Sequence, residues 1–149
     1  MRILDTAHIS YKVLSYPSDD EHLDALSVAK SLDLDPFQIC KTIITRNNQN
    51  QIYVFSIPGP YSINLKKGRS VINSSSLELV NQRELRKLTG YKRGEVSPLG
   101  MNHTYPLIIE ETVQLLSTIA ISGGQRGLLL LFAPHDLIAL TQATYANII

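Results

Sequence analysis

Ile39-Cys-Lys-Thr-Ile-Ile-Thr-Arg46, Asn47-Asn-Gln-Asn50 and Gln51-Ile-Tyr-Val-Phe-Ser-Ile57 follow one another directly in the chain. Two runs rich in β-branched and aromatic residues flank four polar ones, which is the pattern of a β-hairpin. Pro58-Gly-Pro60 ends the second run sharply, because proline has no N–H to donate to a ladder. The hairpin makes a sheet the organising element, and the flanking segments are read for what pairs with it or covers it.

Toward the N-terminus, Arg2 to His8 fits a short helix, and Tyr11-Lys-Val-Leu-Ser-Tyr16 alternates as a first strand. Pro17 to Asp20 is a turn. Ser18 and Glu21 have capping-box spacing, and a helix is expected from about Glu21 to Leu32. Asp35-Pro36 begins another turn.

Toward the C-terminus, Asn64 to Ile72 reads as a helix interrupted near Gly68, and Ser76 to Leu88 as the strongest helix, stopped by Gly90. Tyr91 to Thr104 is a long loop punctuated by Gly94, Pro98 and Gly100; loops of that kind in small domains are usually functional. Pro106 to Glu110, Ser117 to Ser122 and Gly127 to Phe132 read as strands, the last two joined by Ser122-Gly-Gly-Gln-Arg-Gly127. Pro134 to Thr141 is a helix with proline in its first position, and Ala143 to Ile148 a final strand. Short strands linked by hairpins and interspersed with helices point to an α+β or mixed α/β fold. The expectation is one domain over residues 1–149, with a mixed, largely antiparallel sheet and flanking helices.

The composition, 44% hydrophobic and 18% charged, is that of an ordinary globule. A net charge of +1 is far from that of a protein holding long duplex by charge, so any nucleic-acid contact must use a local basic patch. With no Trp and 7% aromatics, large exposed stacking platforms are not expected. The single Cys40 cannot form an internal disulfide, which fits a reducing, cytoplasmic setting. The N-terminus does not read as a signal peptide, and the most apolar stretch, Gly127 to Ala133, is too short to span a bilayer. There is no P-loop, GxGxxG, HExxH or GxSxG, and His8, His22, His103 and His135 are scattered. No metal and no cofactor are expected.

Lys41 is the residue that breaks the pattern. On a strand it shares a face with Ile39 and Ile43, and such conflicts concentrate at functional sites. A lysine in an apolar wall can aim a fixed charge at a carbonyl or phosphate; the plain alternative is an edge-strand lysine reaching for water. Cys40 faces the other way and reads as a small core residue. The loop Gly90-Tyr-Lys-Arg-Gly-Glu-Val-Ser-Pro-Leu-Gly100 combines glycines with Lys92 and Arg93, either an anion site or a plain surface loop. Ser122 to Gly127, with Arg126, is either a second wall of that site or a flexible hairpin. Lys66 and Lys67 are either phosphate contacts or a wet helix face.

Taken in order, Cys40-Lys-Thr-Ile-Ile44, Leu65-Lys-Lys67, Leu88-Thr-Gly-Tyr91 with Gly94 and Ser97-Pro-Leu-Gly100, and Ile121-Ser-Gly-Gly-Gln-Arg-Gly-Leu128 resemble the signature of the YbaK and prolyl-tRNA-synthetase-insertion editing domains. The resemblance spans most of the chain. It implies an α+β fold and hydrolysis, in trans, of the ester joining a wrong amino acid to tRNA, often cysteine or alanine on proline tRNA. It implies that Lys41 is the essential pocket lysine. Tyr16, Gly94, Ser97, Pro98 and Gly100 would hold the aminoacylated 3′ end, and Ser122, Gly123, Gly124 and Arg126 would form another wall. Lys66, Lys67, Lys92 and Arg93 become candidate phosphate contacts, and the partners would be tRNA and a prolyl-tRNA synthetase. The chain departs from the family pattern at Glu95, where a second glycine is usual, and at Leu129, where some members carry an acid. Those departures sustain a rival reading, a non-catalytic module that binds tRNA or a synthetase. A third is a hydrolase of small free esters or amides.

Overall fold

The computed structural model describes residues 2–17 and 25–149. In chain order these hold α1 (Arg2–Thr6), β1 (Lys12–Ser15), α2 (Ala25–Leu32), β2 (Cys40–Arg46), β3 (Ile52–Pro58), α3 (Leu65–Val71), β4 (Glu78–Leu79), α4 (Gln82–Thr89), β5 (Leu107–Glu110), β6 (Ile119–Ser122), β7 (Leu128–Phe132), α5 (Pro134–Thr141) and β8 (Thr144–Ala146). Short 3-10 turns lie at Pro36–Gln38 and Glu111–Leu115. The expected cap at Ser18 and Glu21, and the first turn of its helix, lie outside the described residues.

The hairpin forms as expected. β2 and β3 pair antiparallel from Cys40↔Pro58 to Arg46↔Ile52. Its turn is built by Asn47, whose Oδ1 accepts from Gln49 N at 3.0 Å and Gln51 N at 2.9 Å while Nδ2 donates to Gln51 Oε1 at 2.8 Å. Side-chain amides that mimic backbone are why Asn suits such turns. The hairpin is the centre of a five-stranded sheet in the order β4-β2-β3-β5-β8, with β3–β5 and β5–β8 parallel. β1, β7 and β6 form an antiparallel three-stranded sheet. The two sheets touch through a parallel bridge, Ile39↔Ala120.

Period-two alternation divides β2 and β3 between two cores. Cys40, Ile44 and Val54 join Ile119, Ile121, Leu130, Phe132 and Leu137 in a core shared by both sheets and α5. Phe55 and Ile57 turn the other way, toward Leu77, Ile108 and Ile148, with Ile63 and Leu65 packed on them. Val28 and Ala29 of α2 pack on Ile39, Ala120 and Leu129.

Two expectations are corrected. Ser76 to Leu88 is not one helix: Glu78 and Leu79 pair with Arg46 and Thr45 on the free edge of β2, and α4 starts afresh behind Asn81, whose side chain accepts from Glu84 N at 3.2 Å. Pairing with an open sheet edge overrides helical periodicity there. Gly68 does not interrupt α3. It is buried, and a Cβ placed on it would lie 3.0 Å from Leu77 Cδ2 and 3.5 Å from Phe55 Cζ. The glycine lets the helix approach the sheet.

Gly90 and Gly68 separate the two uses of glycine. Gly90 caps α4 at φ +85°, where the nearest atom to an added Cβ is Asn102 Cγ at 3.6 Å. Gly90→Ala should therefore cost only conformational strain, about 1–2 kcal/mol, seen as a lower urea midpoint with unchanged slope. Gly68→Val should lower the midpoint further, because its added methyls enter the contact with Leu77.

Candidate active site

The junction between the sheets leaves a cavity of about 420 Å³ at the start of β2. Four consecutive residues, Ile39, Cys40, Lys41 and Thr42, line it. Alternation puts Cys40 and Lys41 on opposite faces of β2, yet both border the cavity, because it wraps the end of the strand. The expectation that Cys40 points away from the site is corrected to that extent. The residue is nonetheless only 4% exposed, and burial pushes its thiol pKa up to about 12. A buried, protonated thiol is a wall rather than a nucleophile.

Lys41 is half-buried, and its Nζ donates to the carbonyl of Gly59 at 3.2 Å. Gly59 is fixed in turn by donating its N–H to Ile39 O at 2.7 Å. Burial lowers the lysine's pKa from its ordinary value. Among the described residues the ammonium thus has one backbone partner, in a desolvated setting supplied by the hairpin and the Pro58-Gly-Pro60 turn.

The facing walls come from the two glycine-rich turns. Arg93, Gly94, Val96 and Ser122 line the cavity, with Tyr16 of the β1 end, Val28, Leu85 and Leu129. Ser122 Oγ donates to Glu95 O at 2.9 Å and accepts from Gly124 N at 3.1 Å. The Tyr91 hydroxyl donates to Leu99 O, and its ring lies where a Cβ on Gly124 would stand 3.2 Å from Cε1. A Cβ on Gly94 would stand 3.3 Å from Arg126 Nε. Gly94 and Gly124 have φ of +81° and +87°, so both the backbone and the contact call for glycine. Glu95 contributes its carbonyl and has no positive φ, so the departure from glycine there is tolerated. Leu129, 5% exposed, gives the cavity an apolar wall at the second position where the sequence departs from the resembled pattern.

Of the residues singled out from sequence, Tyr16, Lys41, Arg93, Gly94 and Ser122 come together at this cavity. Gly123, Gly124 and Arg126 stand in the turn behind Ser122. Ser97 is fully buried and accepts from Leu99 N at 3.2 Å. Pro98 and Gly100 border a separate cavity of about 300 Å³, with Ile3, His103, Tyr105 and Leu140. Lys92 is exposed and does not line the first cavity. Lys66 is exposed on α3, and Lys67 Nζ is bound to Asn147 Oδ1 at 3.2 Å and Ile149 O at 2.6 Å. Val28, Thr42, Gly59, Leu85 and Val96 were not singled out; of these, Thr42 beside Lys41 and Gly59 between two prolines carried some signal. Among the described residues no group of His, Cys, Asp and Glu is arranged to hold a metal ion.

The model of the family described as the aminoacyl-tRNA editing domain matches residues 21–140. A protein of Enterococcus faecalis named "Putative Cys-tRNA(Pro)/Cys-tRNA(Cys) deacylase EbsC" is 34% identical over 148 residues, covering 99% of this chain and 90% of that one. The proline–tRNA ligase of Lactobacillus acidophilus is 26% identical over 98 residues, 66% of this chain but 17% of the ligase. A crystal structure described as "a putative trans-editing enzyme for prolyl tRNA synthetase" superposes with a TM-score of 0.86 at 26% identity, over 99% of this chain and 92% of that one. Sequence and fold therefore agree that this chain belongs to the aminoacyl-tRNA editing domain family.

Proposed function

We propose that this chain is a trans-editing deacylase that hydrolyses the ester between a small amino acid, Cys or Ala, and proline tRNA. The observation that carries the reading is the Lys41 ammonium held at the wall of a cavity whose other walls are the Gly94 and Ser122 turns. An aminoacyl ester is already activated, so the protein has to position it and stabilise the tetrahedral oxyanion. Water attacks the carbonyl carbon, the bond to the ribose oxygen breaks, and the products are the free amino acid and a tRNA with its terminal hydroxyl restored. A cysteinyl ester can instead be attacked by its own thiol and leave as a cyclic thioester. Among the described residues, no Asp, Glu or His lines the cavity. That fits a reaction in which the nucleophile is water or the substrate itself.

On this reading Lys41 faces the ester carbonyl or the terminal phosphate, and backbone N–H groups near Gly94 complete the anion site. Val28, Ile39, Leu85, Val96 and Leu129 give the side-chain end of the cavity its apolar character. Arg93 at the cavity and Lys92 beside it are the basic pair for the acceptor phosphates. We take residues 1–149 as one catalytic unit working in the cytoplasm. Among the described residues, no helix is long and apolar enough to cross a membrane. Likeness to a segment of proline–tRNA ligase makes that synthetase the candidate partner.

The deciding measurement is incubation with alanyl-, cysteinyl- and seryl-charged tRNA. Release of the amino acid is expected; retention on a bound tRNA would establish the non-catalytic module, and indifference to tRNA would establish the small-ester hydrolase. Lys41→Ala should cut single-turnover deacylation by about 10²–10³-fold, as loss of an oxyanion donor does; full activity would overturn the assignment. Because burial lowers the Lys41 pKa, its charge is intact at low pH and is lost as pH rises, earlier than for an exposed lysine. The enzymatic rate relative to spontaneous hydrolysis should fall correspondingly toward alkaline pH, measured as a ratio at each pH.

Two further outcomes are expected. With a Cys40 pKa of about 12, roughly one thiol in 10⁴ is thiolate at pH 8. A disulfide reagent should thus label the native protein far more slowly than the urea-unfolded one, and Cys40→Ala should keep deacylation. Binding of tRNA should weaken with salt, and Arg93→Ala should reduce the slope of log K against log salt by about 0.7–0.9, one phosphate's worth.

A further inference from the structure

Phe37 and Tyr61 are the most exposed Phe and Tyr residues of the described chain, at 42% and 41%. They are not independent. Their centroids are 5.5 Å apart with the planes tilted by 51°, so the rings touch without covering one another's faces. Each is held on a fixed turn. Phe37 lies in the Pro36–Gln38 turn, closed by a reciprocal cap in which Asp35 accepts from Phe37 N at 3.0 Å and Gln38 from Asp35 N at 3.4 Å. Tyr61 N donates to Pro58 O at 3.0 Å.

Both turns run directly into the candidate active site. Phe37 stands two residues before Ile39 and Tyr61 two residues after Gly59, and Ile39 and Gly59 both line the cavity. Two residues span at most about 7 Å. Gly59 bonds Ile39 through its N–H and Lys41 through its carbonyl, so the aromatic pair and the ammonium share one rigid frame. The low aromatic content argued against a stacking platform, but two rings brought together from residues 24 positions apart in sequence are enough to make one.

We propose that Phe37 and Tyr61 form a stacking platform for an unpaired nucleobase of the tRNA 3′ strand, just outside the cavity that takes the ester; this rests on the deacylase reading above. A single strand threading to an ester at Lys41 must cross the cavity rim. Single-stranded nucleic acid is gripped there by exposed ring faces together with cations, a combination that tolerates any base. Arg93 supplies the cation from another wall. The platform explains how a chain of net charge +1 can hold an acceptor end without a broad basic surface.

The test uses the full chain and a short single-stranded RNA ending in CCA, with 2-aminopurine replacing the penultimate cytosine. Wild type should quench the fluorophore on binding, as stacking does. Phe37→Ala/Tyr61→Ala should abolish the quench and weaken binding about 5–150-fold, the range for loss of one stacked base. Phe37→Tyr/Tyr61→Phe should restore both, which separates ring stacking from folding. With mischarged tRNA, the double alanine variant should raise KM and leave kcat unchanged. Quenching and affinity equal to wild type in the alanine variant, absence of quenching in wild type, or a loss confined to kcat would each overturn the platform. Wild-type hydrolysis of mischarged tRNA with no effect of the alanine pair would sink the platform alone. Ring-dependent quenching without hydrolysis of any charged tRNA would sink the deacylase reading alone.

Discussion

Ile39 is where the molecule is joined. Its backbone bridges to Ala120 of the three-stranded sheet, its carbonyl accepts from Gly59 N, and its side chain packs with Val28, Ala120 and Leu129. β2 therefore enters the five-stranded sheet directly after the bridged contact between the sheets. Because the sheets meet at an edge, the space beside the junction cannot be filled by regular packing, and it remains as the cavity. Every group proposed to act on an ester is measured from that frame.

The frame holds a lysine where lysine is costly. An ammonium in an apolar wall loses hydration, and the Gly59 carbonyl replaces part of it. The arrangement persists because the neighbouring hairpin, with paired residues from Cys40 to Arg46, is too extensively bonded to relax around one side chain. Apolar walls on the far side strengthen the charge's field within the cavity. The same feature that makes Lys41 unfavourable for stability is what the proposed mechanism uses to meet a developing oxyanion.

The two glycine turns solve a different problem. They must come close to the cavity and to each other, and irregular backbone at such a place has many unpaired groups. Ser122 answers part of this by donating to Glu95 O and accepting from Gly124 N, and Tyr91 by donating to Leu99 O and lying over Gly124. Side chains added at Gly94 or Gly124 would strike Arg126 or Tyr91. The turns are thus one interlocked unit rather than two flexible loops, which lets them present a wall of defined shape.

The hairpin, the capping glycine at Gly90, the helix at Pro134–Thr141 and the misfit of Lys41 among isoleucines were all legible in the chain, because local rules for pairing, capping and alternation act over a few residues. The β4 strand was not, since Glu78 and Leu79 adopt extended backbone only because β2 offers an open edge. Nor was Gly68's role, which depends on Leu77 and Phe55 arriving from elsewhere. The family signature was carried by spaced motifs, but its parts did not all reach one place: Gly94 and Ser122 face Lys41, while Pro98 and Gly100 border another cavity and Lys67 is tied to the chain end. The pairing of Phe37 with Tyr61 was invisible for the same reason. Sequence by itself determined which segments could be strands, turns and helices, and which side chain conflicted with its surroundings. Tertiary structure alone decided which distant residues share a cavity, because that depends on how two sheets close against each other.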